Sequence, residues 1–316
     1  MKRILVTGAA GFLGSSLSID LLKKGHIVLG IDNFNSDLYP KVFKQSNWDE
    51  LTRFPNFLAI NSDFSEVTPA QLGKIDLCYN FAALPGLISG YNATEKYFET
   101  NVLGTEKFLQ TLSQQQNLRL IHASTSSVYG AEATGDETEN CYPISSYGIS
   151  KLATEHVVRN YCEKMNVSYS ILRFFSVYGP RQRPDMAIHK LITCALSGKT
   201  FEVYGGLEST RSNTFVSDAV DALITFGEAS DLFGIYNIAG EEKRSLSDWI
   251  VSVENLIGKK IELKFIQSRD GDQRLTSGNT SRARKAMGFA PKVESSEGLK
   301  LQLTHILKNS NLYVNS

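Results

Sequence analysis

Eight residues near the amino terminus constrain this chain more than any others. Thr7-Gly8-Ala9-Ala10-Gly11-Phe12-Leu13-Gly14 stands between an apolar run, Lys2–Thr7, and an amphipathic stretch, Phe12–Lys24, whose Leu13, Leu17, Leu21 and Leu22 share one face. Without a side chain, Gly8 permits a tight turn out of a buried strand. Gly11 lets main chain approach a bound pyrophosphate, and Gly14 lets the helix press against the strand. Free N–H groups at the helix start, where Phe12 and Leu13 stand, then face the phosphates. The GxxGxxG spacing is a variant of the dinucleotide-binding fingerprint, and its place at the end of the first strand gives it weight.

The same alternation continues through the first half. Ile27–Ile31, Phe57–Asn61, Ile75–Phe81, Arg119–Ala123 and Tyr169–Phe175 read as further strands, and Thr94–Ser113 and Tyr147–Lys164 as helices. This predicts an α/β fold on a doubly wound parallel sheet, the Rossmann arrangement. After Pro180 the rhythm changes. A turn-rich loop, Pro180-Arg181-Gln182-Arg183-Pro184, leads to short helices (Ile188–Ser197, Ser217–Gly227, Ser247–Ile257) and isolated strands (Phe201–Tyr204, Ile235–Ile238, Glu262–Phe265). The expected division is a dinucleotide-binding domain over 1–180, with 214–240 returning to it, and a smaller mixed α/β substrate-binding domain from 181–213 and 241–316. A chain of 316 residues exceeds what one small core usually organises.

Lys plus Arg and Asp plus Glu each number 33, so the formal net charge is zero. That argues against a global basic field for nucleic acid or an anionic membrane. No stretch approaches a membrane span, and the apolar run after Met1-Lys2-Arg3 is too short for a signal peptide. Cys78, Cys141, Cys162 and Cys194 lie far apart, and no Cys/His cluster has zinc spacing. Reduced thiols, no metal and a cytoplasmic location are expected.

Asp32 closes the second strand, 18 residues past Gly14. A carboxylate there accepts hydrogen bonds from ribose hydroxyls and repels a 2′-phosphate, which selects NAD over NADP. Asn33 and Asn35 are placed to add ribose or phosphate contacts. Asp63-Phe64 is placed to hold adenine, with a plain turn as the alternative. Tyr147-Gly148-Ile149-Ser150-Lys151 sets Tyr147 and Lys151 one helical turn apart on one face. A phenol of ordinary pKa, about 10, is a poor base at neutral pH. A nearby ammonium and a positive nicotinamide ring stabilise its phenolate, and Lys151 can also hold the nicotinamide ribose. Ser124-Thr125-Ser126-Ser127 ends the fifth strand on the same sheet edge. Its hydroxyls can bond a reacting sugar oxygen and relay a proton to Tyr147, unless they merely cap a turn.

At these residues the chain resembles the extended short-chain dehydrogenase/reductases of the nucleotide-sugar epimerase and dehydratase branch. The resemblance covers nearly the whole chain, through Thr7–Gly14, Asp32, Asn80-Phe81-Ala82-Ala83, Asn101-Val102-Leu103-Gly104-Thr105, Ser124–Gly130, Tyr147–Lys151, Arg173–Pro180 and Arg269–Asp272. It implies NAD as cofactor, Thr125, Tyr147 and Lys151 as the catalytic triad, and Phe81, Ala82, Ala83 and Asn101 beside the cofactor. It further implies Arg211 and Arg269 near a nucleotide diphosphate and Asp272 on the nucleotide ribose. A homodimer through a four-helix interface made by Thr94–Ser113 and Tyr147–Lys164 is implied as well.

Within this branch, 4,6-dehydratases place Asp-Glu after the Thr, and uronate decarboxylases of this type place Glu two residues after it. Here those positions are Ser126 and Ser127. Hydroxyls cannot supply the base for elimination, so a redox-neutral epimerase is expected. Arg173–Pro180, followed by Arg183-Pro184-Asp185-Met186-Ala187, is similar to UDP-glucuronate 4-epimerases, which share the Thr-Ser-Ser run and a hydroxyl residue where Ser176 stands. Thr125, Ser126, Ser127 and Ser176 would then grip a sugar carboxylate without adding acid, with Arg183 near the same pocket, unless Arg183 is only a loop charge. The expected reaction interconverts UDP-glucuronate and UDP-galacturonate through a 4-keto sugar. A neutral UDP-hexose 4-epimerase, a UDP-uronate decarboxylase and, in another class, a non-catalytic NAD-binding protein stand as alternatives.

The chain departs from the family pattern at Asn80, where the family has His, and at Gly86-Leu87-Ile88, where Gly-Val-Arg is frequent. Gly205-Gly206-Leu207-Glu208 and Arg211-Ser212-Asn213 also differ from the usual Gly-Asp-Gly and Arg-Asp-Phe. His26, His122, His156, His189 and His305 are scattered and read as surface or core residues. Trp48 and Trp249 read as packing residues. Tyr204 is placed either to stack on the nucleotide base or to pack in the core.

Overall fold

The structure, a computed structural model, describes residues 1–86, 93–229, 231–268 and 271–313. Seven parallel strands make the central sheet: β1 (Arg3–Thr7), β2 (Ile27–Asp32), β3 (Phe57–Asn61), β4 (Leu77–Asn80), β5 (Arg119–Thr125), β6 (Ser168–Phe174) and β7 (Gly234–Ile238). Their spatial order is β3-β2-β1-β4-β5-β6-β7. This is the expected doubly wound sheet. Strand order reverses between β1 and β4, and a crevice opens there at the strands' carboxyl ends. The last strand comes from far along the chain: Ile235–Ile238 pair with Ile171–Phe174.

Side chains alternate between two cores, one on each face of the sheet. Ile4, Val6, Tyr79, Ile121 and Leu172 join one core, with Leu17 and Leu21 of helix α1 (Phe12–Lys23); Leu5, Cys78, Leu120 and Ile171 join the other, with Phe108, Val158 and Cys162. Burial on both faces is why the strands read as unbroken apolar runs.

Several elements differ from expectation, among them the helices Ser281–Met287 and Ser295–Lys308, which were not foreseen, and two in the first half of the chain. Helix α2 (Lys41–Leu51) follows β2, where the sequence is largely polar; only Phe43, Asn47, Trp48 and Leu51 are buried. The helix expected over Thr94–Ser113 consists of Ala93–Tyr97, a π-helical Phe98–Leu103 and α3 (Gly104–Leu112). At the wide turn, the Asn101 side chain clamps both main-chain groups of Leu84, and Thr154 donates to the Asn101 carbonyl oxygen at 3.1 Å. Such competition for backbone groups accompanies a π-turn, a feature frequent near functional sites.

Helix α4 (Ser146–Met165) begins at Ser145, whose hydroxyl accepts the Gly148 N–H at 3.1 Å. Beyond β6, Phe201–Tyr204 pairs with Leu263–Ile266. Lys243–Ser245, Thr210–Ser212, Leu275–Thr276 and Glu132–Ala133 form a small mixed sheet. Its register, Leu275 opposite Glu132, carries the segment around residue 273 back beside the loop that follows β5.

Candidate active site

A cavity of about 490 Å³ runs along the crevice at the strand-order reversal. At one end lies the glycine turn. Gly8 has φ +66°, and its carbonyl oxygen accepts the Gly11 N–H at 3.0 Å. A Cβ on Gly14 would sit 2.1 Å from that oxygen, so only glycine lets α1 start this close to β1. The turn leaves a cradle bare of side chains at the start of α1, which suits a pyrophosphate. Asp32 stands beneath it and is 5% exposed. One carboxylate oxygen accepts the Ala10 N–H (3.0 Å), the other the Phe34 N–H (2.8 Å), and Lys44 of α2 lies 3.5 Å away. Asn33 donates to Asp63 at 2.7 Å, and Asn33, Asn35, Asp63 and Phe64 all line this end.

The other end is lined by Thr125, Ser126, Ser127, Tyr147, Lys151, Ser176, Arg183 and Gln273. Gly148 makes this assembly fit, because a Cβ there would lie 2.5 Å from the Ser127 carbonyl oxygen. The first turn of α4 can therefore press Tyr147 against the hydroxyl run. The Thr125 hydroxyl accepts the Ser127 N–H (3.1 Å) and donates to the Ser127 hydroxyl (3.2 Å). Burial raises the pKa of Tyr147, opposed by the positive charge of Arg183 and by a hydrogen bond with Thr125. The Arg183 guanidinium is itself held by Asp185 through two bonds of 3.0 and 2.9 Å. Lys151 lines the same end. It is 3% exposed, its Nζ lies 3.3 Å from His122 Nε2, and burial lowers its pKa to about 8, against the field of Glu155.

A turn shaped for a pyrophosphate beside a phenol, a lysine and a hydroxyl ring matches one known family. The NAD dependent epimerase/dehydratase family profile matches residues 4–239. The chain belongs to that family. A crystallised UDP-glucuronic acid 4-epimerase from Bacillus cereus, in complex with UDP-glucuronic acid and NAD, superposes with a TM-score of 0.93 at 34% identity, covering 97% of this chain and 99% of that one. A Bacillus subtilis (strain 168) protein, named as an uncharacterized UDP-glucose epimerase YtcB, is 34% identical over 98% of this chain and 99% of its own length. The UDP-glucuronate 4-epimerase of Thermodesulfobacterium geofontis is 29% identical over 99% of this chain and 98% of its own. As a member of this family the protein is an enzyme of the NAD-dependent epimerase type, and its cofactor is NAD.

Within this NAD-dependent fold most of the residues expected from sequence meet in one cavity. Gly8, Gly11, Phe12, Leu13, Gly14, Asp32, Asn33, Asn35, Asp63, Phe64, Phe81, Ala82 and Ala83 line it, as do the triad residues, Ser126, Ser127, Ser176 and Arg183. Asn101 does not. It is 1% exposed, and its amide is spent on Leu84 and Ser150, so it braces the wall while Thr100 faces the cavity. Tyr204, Arg211 and Asp272 also lie outside the lining. The Arg211 guanidinium donates to the carbonyl oxygens of Thr210, Arg274 and Gln273, and the Tyr204 hydroxyl donates to Glu202 at 2.8 Å. Arg269, Leu87 and Ile88 lie outside the described residues.

Two contributors were not foreseen. Gln273 accepts from the Ser126 hydroxyl at 3.2 Å and donates to the carbonyl oxygens of Ser126 (3.1 Å) and Gly130 (2.7 Å). The Ser126 hydroxyl proton is thereby committed, leaving its lone pairs toward the cavity. His122, read as a core histidine, is fully buried but touches Lys151.

Proposed function

We propose that the protein is a nucleotide-sugar 4-epimerase acting on UDP-glucuronate and UDP-galacturonate. One observation carries the uronate reading: among the described residues, the carboxylates lining the cavity are Asp32 and Asp63, both at the glycine-turn end. The end holding Tyr147 presents hydroxyls and the Arg183 guanidinium, a surround that suits a carboxylate substituent and offers no side-chain acid to protonate it. The B. cereus relative bound to UDP-glucuronic acid supports the same reading.

The glycine turn and Phe12-Leu13 would hold the cofactor's pyrophosphate, and Asp32, Asn33 and Asn35 the adenosine ribose. Asp63 and Phe64 would hold adenine, Phe81, Ala82 and Ala83 the middle, and Tyr147 and Lys151 the nicotinamide ribose. When bound, NAD supplies reversible two-electron oxidation of the sugar carbinol. Tyr147, aided by Thr125, takes the C4 hydroxyl proton and later returns it to the same oxygen; with the two electrons that NAD would accept given back as well, the cycle is redox-neutral. Thr125, Ser127, Ser176 and Arg183 orient the sugar, while binding of the remote nucleotide keeps the keto intermediate from leaving. Arg211, Arg269, Asp272 and Tyr204 are proposed nucleotide contacts. The proposed domain division follows the same line, with 1–180 and 214–240 carrying NAD and the rest carrying the nucleotide.

The test is incubation of the purified protein with UDP-glucuronate and NMR of the product. UDP-galacturonate is the expected result. A UDP-pentose with loss of CO2 would make the protein a decarboxylase, and turnover confined to neutral UDP-hexoses would remove the role given to Arg183.

We further propose a cytoplasmic location and a homodimer that pairs through the helical segments 94–113 and 147–164. Leu103 and Ile149 on these adjacent helices are 50% and 44% exposed, an apolar surface that pairing would cover. Leu103→Glu is expected to halve the mass seen by light scattering in dilute solution; an unchanged mass would place the interface elsewhere.

A further inference from the structure

Three polar residues stand in one row across the sheet at its reversal point. Thr7 of β1 is in register with Asn80 of β4, and Asn80 with His122 of β5. Their side chains are joined: Thr7 Oγ1 to Asn80 Oδ1 at 2.7 Å, and Asn80 Nδ2 to His122 Nδ1 at 3.2 Å. At one end Thr7 Oγ1 accepts the Ala82 N–H at 3.0 Å; at the other His122 Nε2 meets Lys151 Nζ at 3.3 Å. Thr7, Asn80, His122 and Lys151 are each 3% exposed or less. The row therefore ties the end of the glycine-turn strand to the lysine that would hold the nicotinamide ribose.

We propose that Thr7, Asn80 and His122 form a hydrogen-bonded chain of reversible polarity that holds Lys151 in place whether its nitrogen is ammonium or amine, with His122 as the positioning residue. The proposal deepens the reading of Tyr147 and Lys151 given above and rests on it. In one polarity Thr7 donates to Asn80, Asn80 donates to His122 Nδ1, and the proton on Nε2 points to a neutral amine. In the other the Asn80 amide is turned over, His122 Nδ1–H donates to its oxygen, and Nε2 accepts from the ammonium. Thr7 Oγ1 then accepts from both Asn80 and Ala82, which its two lone pairs allow. Between the two states the lysine–histidine pair loses one proton to solvent: Lys151 gives its hydrogen-bonded proton to Nε2 as the ring gives up the one on Nδ1, the Asn80 amide turns over, and the Thr7 hydroxyl swings round to donate to its oxygen. The imidazole is neutral in both states, in keeping with a pKa pushed well below its ordinary value by burial and by the charge of Lys151.

The chain removes a cost. A buried ammonium or amine with no partner would leave a polar group unpaired in one charge state or the other. The surrounding charges do not replace it. Glu155 faces Lys151 from the same helix, but its carboxylate is bound by Arg173 of β6, and Arg183, from the loop after β6, acts on Tyr147. From β4 and β5, Asn80 and His122 are the partners the structure shows.

The test is ¹⁵N NMR of the NAD-loaded, full-length protein labelled at its five histidines, with His122 assigned by His122→Gln. Titrated upward through the range where Lys151 releases its proton, His122 is expected to change from the Nδ1–H to the Nε2–H tautomer without becoming charged. In Lys151→Met it should stay in one tautomer. A ring that keeps its tautomer in the wild type, or changes it equally in Lys151→Met, overturns the proposal. This readout needs no sugar, so its failure is separate from failure of the epimerase reading. Turnover gives a second check. His122→Leu removes the acceptor for the ammonium, so the alkaline limb of kcat should move down by about half a pH unit or more. His122→Gln, which can both donate and accept, should restore it. Equal losses in both variants with an unshifted profile would reduce His122 to a packing residue.

Discussion

Tyr147→Phe is expected to lower kcat by a factor of about 10² to 10⁴, the usual contribution of a positioned general base. That corresponds to about 3–5 kcal/mol on the barrier at 1.36 kcal/mol per tenfold. The substitution removes one oxygen and leaves the ring against Tyr97, whose centroid is 5.9 Å away. The glycine turn, Asp32 and Lys151 are untouched, so most NAD should remain bound after purification, with only the one ribose contact of the phenol lost. Lys151→Met should differ in kind, losing NAD affinity as well as turnover, because it removes a ribose contact and the partner of His122 together. The two are separated by measuring bound NAD released on denaturation beside steady-state turnover. A Tyr147→Phe protein that keeps more than about a tenth of wild-type kcat would transfer the proton step to another group, with Thr125 the nearest candidate. A loss of NAD equal to the loss of turnover would make the phenol a binding group instead.

What was readable in advance follows from how local each signal is. The glycine turn is read from eight contiguous residues, and its two steric demands, positive φ at Gly8 and close approach at Gly14, need no tertiary partner to be inferred. Tyr147 and Lys151 are joined by helical spacing alone. The strands were legible because both faces of a parallel sheet are buried. Helix α2 was not, since its few buried side chains make too thin an apolar stripe in a polar segment. His122 is a core residue as read, but its partners are set by strand register: only the pairing of β4 with β5 puts Asn80 beside it, and only the packing of α4 brings Lys151 onto its far nitrogen. Where the family has His, position 80 is Asn here, and its side chain meets the His122 ring of the neighbouring strand. Gln273 reaches the cavity through an equally remote pairing, Leu275 with Glu132. Arg211 carries a further feature that spacing does not reveal: its guanidinium donates to three carbonyl oxygens, outside the cavity lining.

Arg173→Met should be the most destabilising of the single substitutions considered. Arg173 on β6 and Glu155 on α4 are each 3% exposed and joined by two bonds, Nε to Oε1 at 2.9 Å and Nη2 to Oε2 at 2.7 Å. The Ser124 hydroxyl donates to the same carboxylate at 2.5 Å, and the guanidinium lies 4.8 Å from the centre of the Tyr129 ring. Methionine fills much of the volume but strands a buried carboxylate, and breaking such a pair from one side costs about 3–5 kcal/mol. For a chain of this size that lowers Tm by roughly 5–8 °C, at about 1.5 °C per kcal/mol. The paired change Arg173→Met with Glu155→Gln should recover most of the loss, because a buried ion pair often adds little net stability over neutral groups of similar size. Activity should not recover with it. Ser124 immediately precedes Thr125, and the field of Glu155 opposes the drop in the Lys151 pKa, so the neutral pair leaves Lys151 with a still lower pKa and Ser124 with a weaker acceptor. Thermal melts and kcat measured on the two single variants and the double therefore separate what the pair does for the fold from what it does for the site. A double variant as active as the wild type would show that the ion pair serves packing alone.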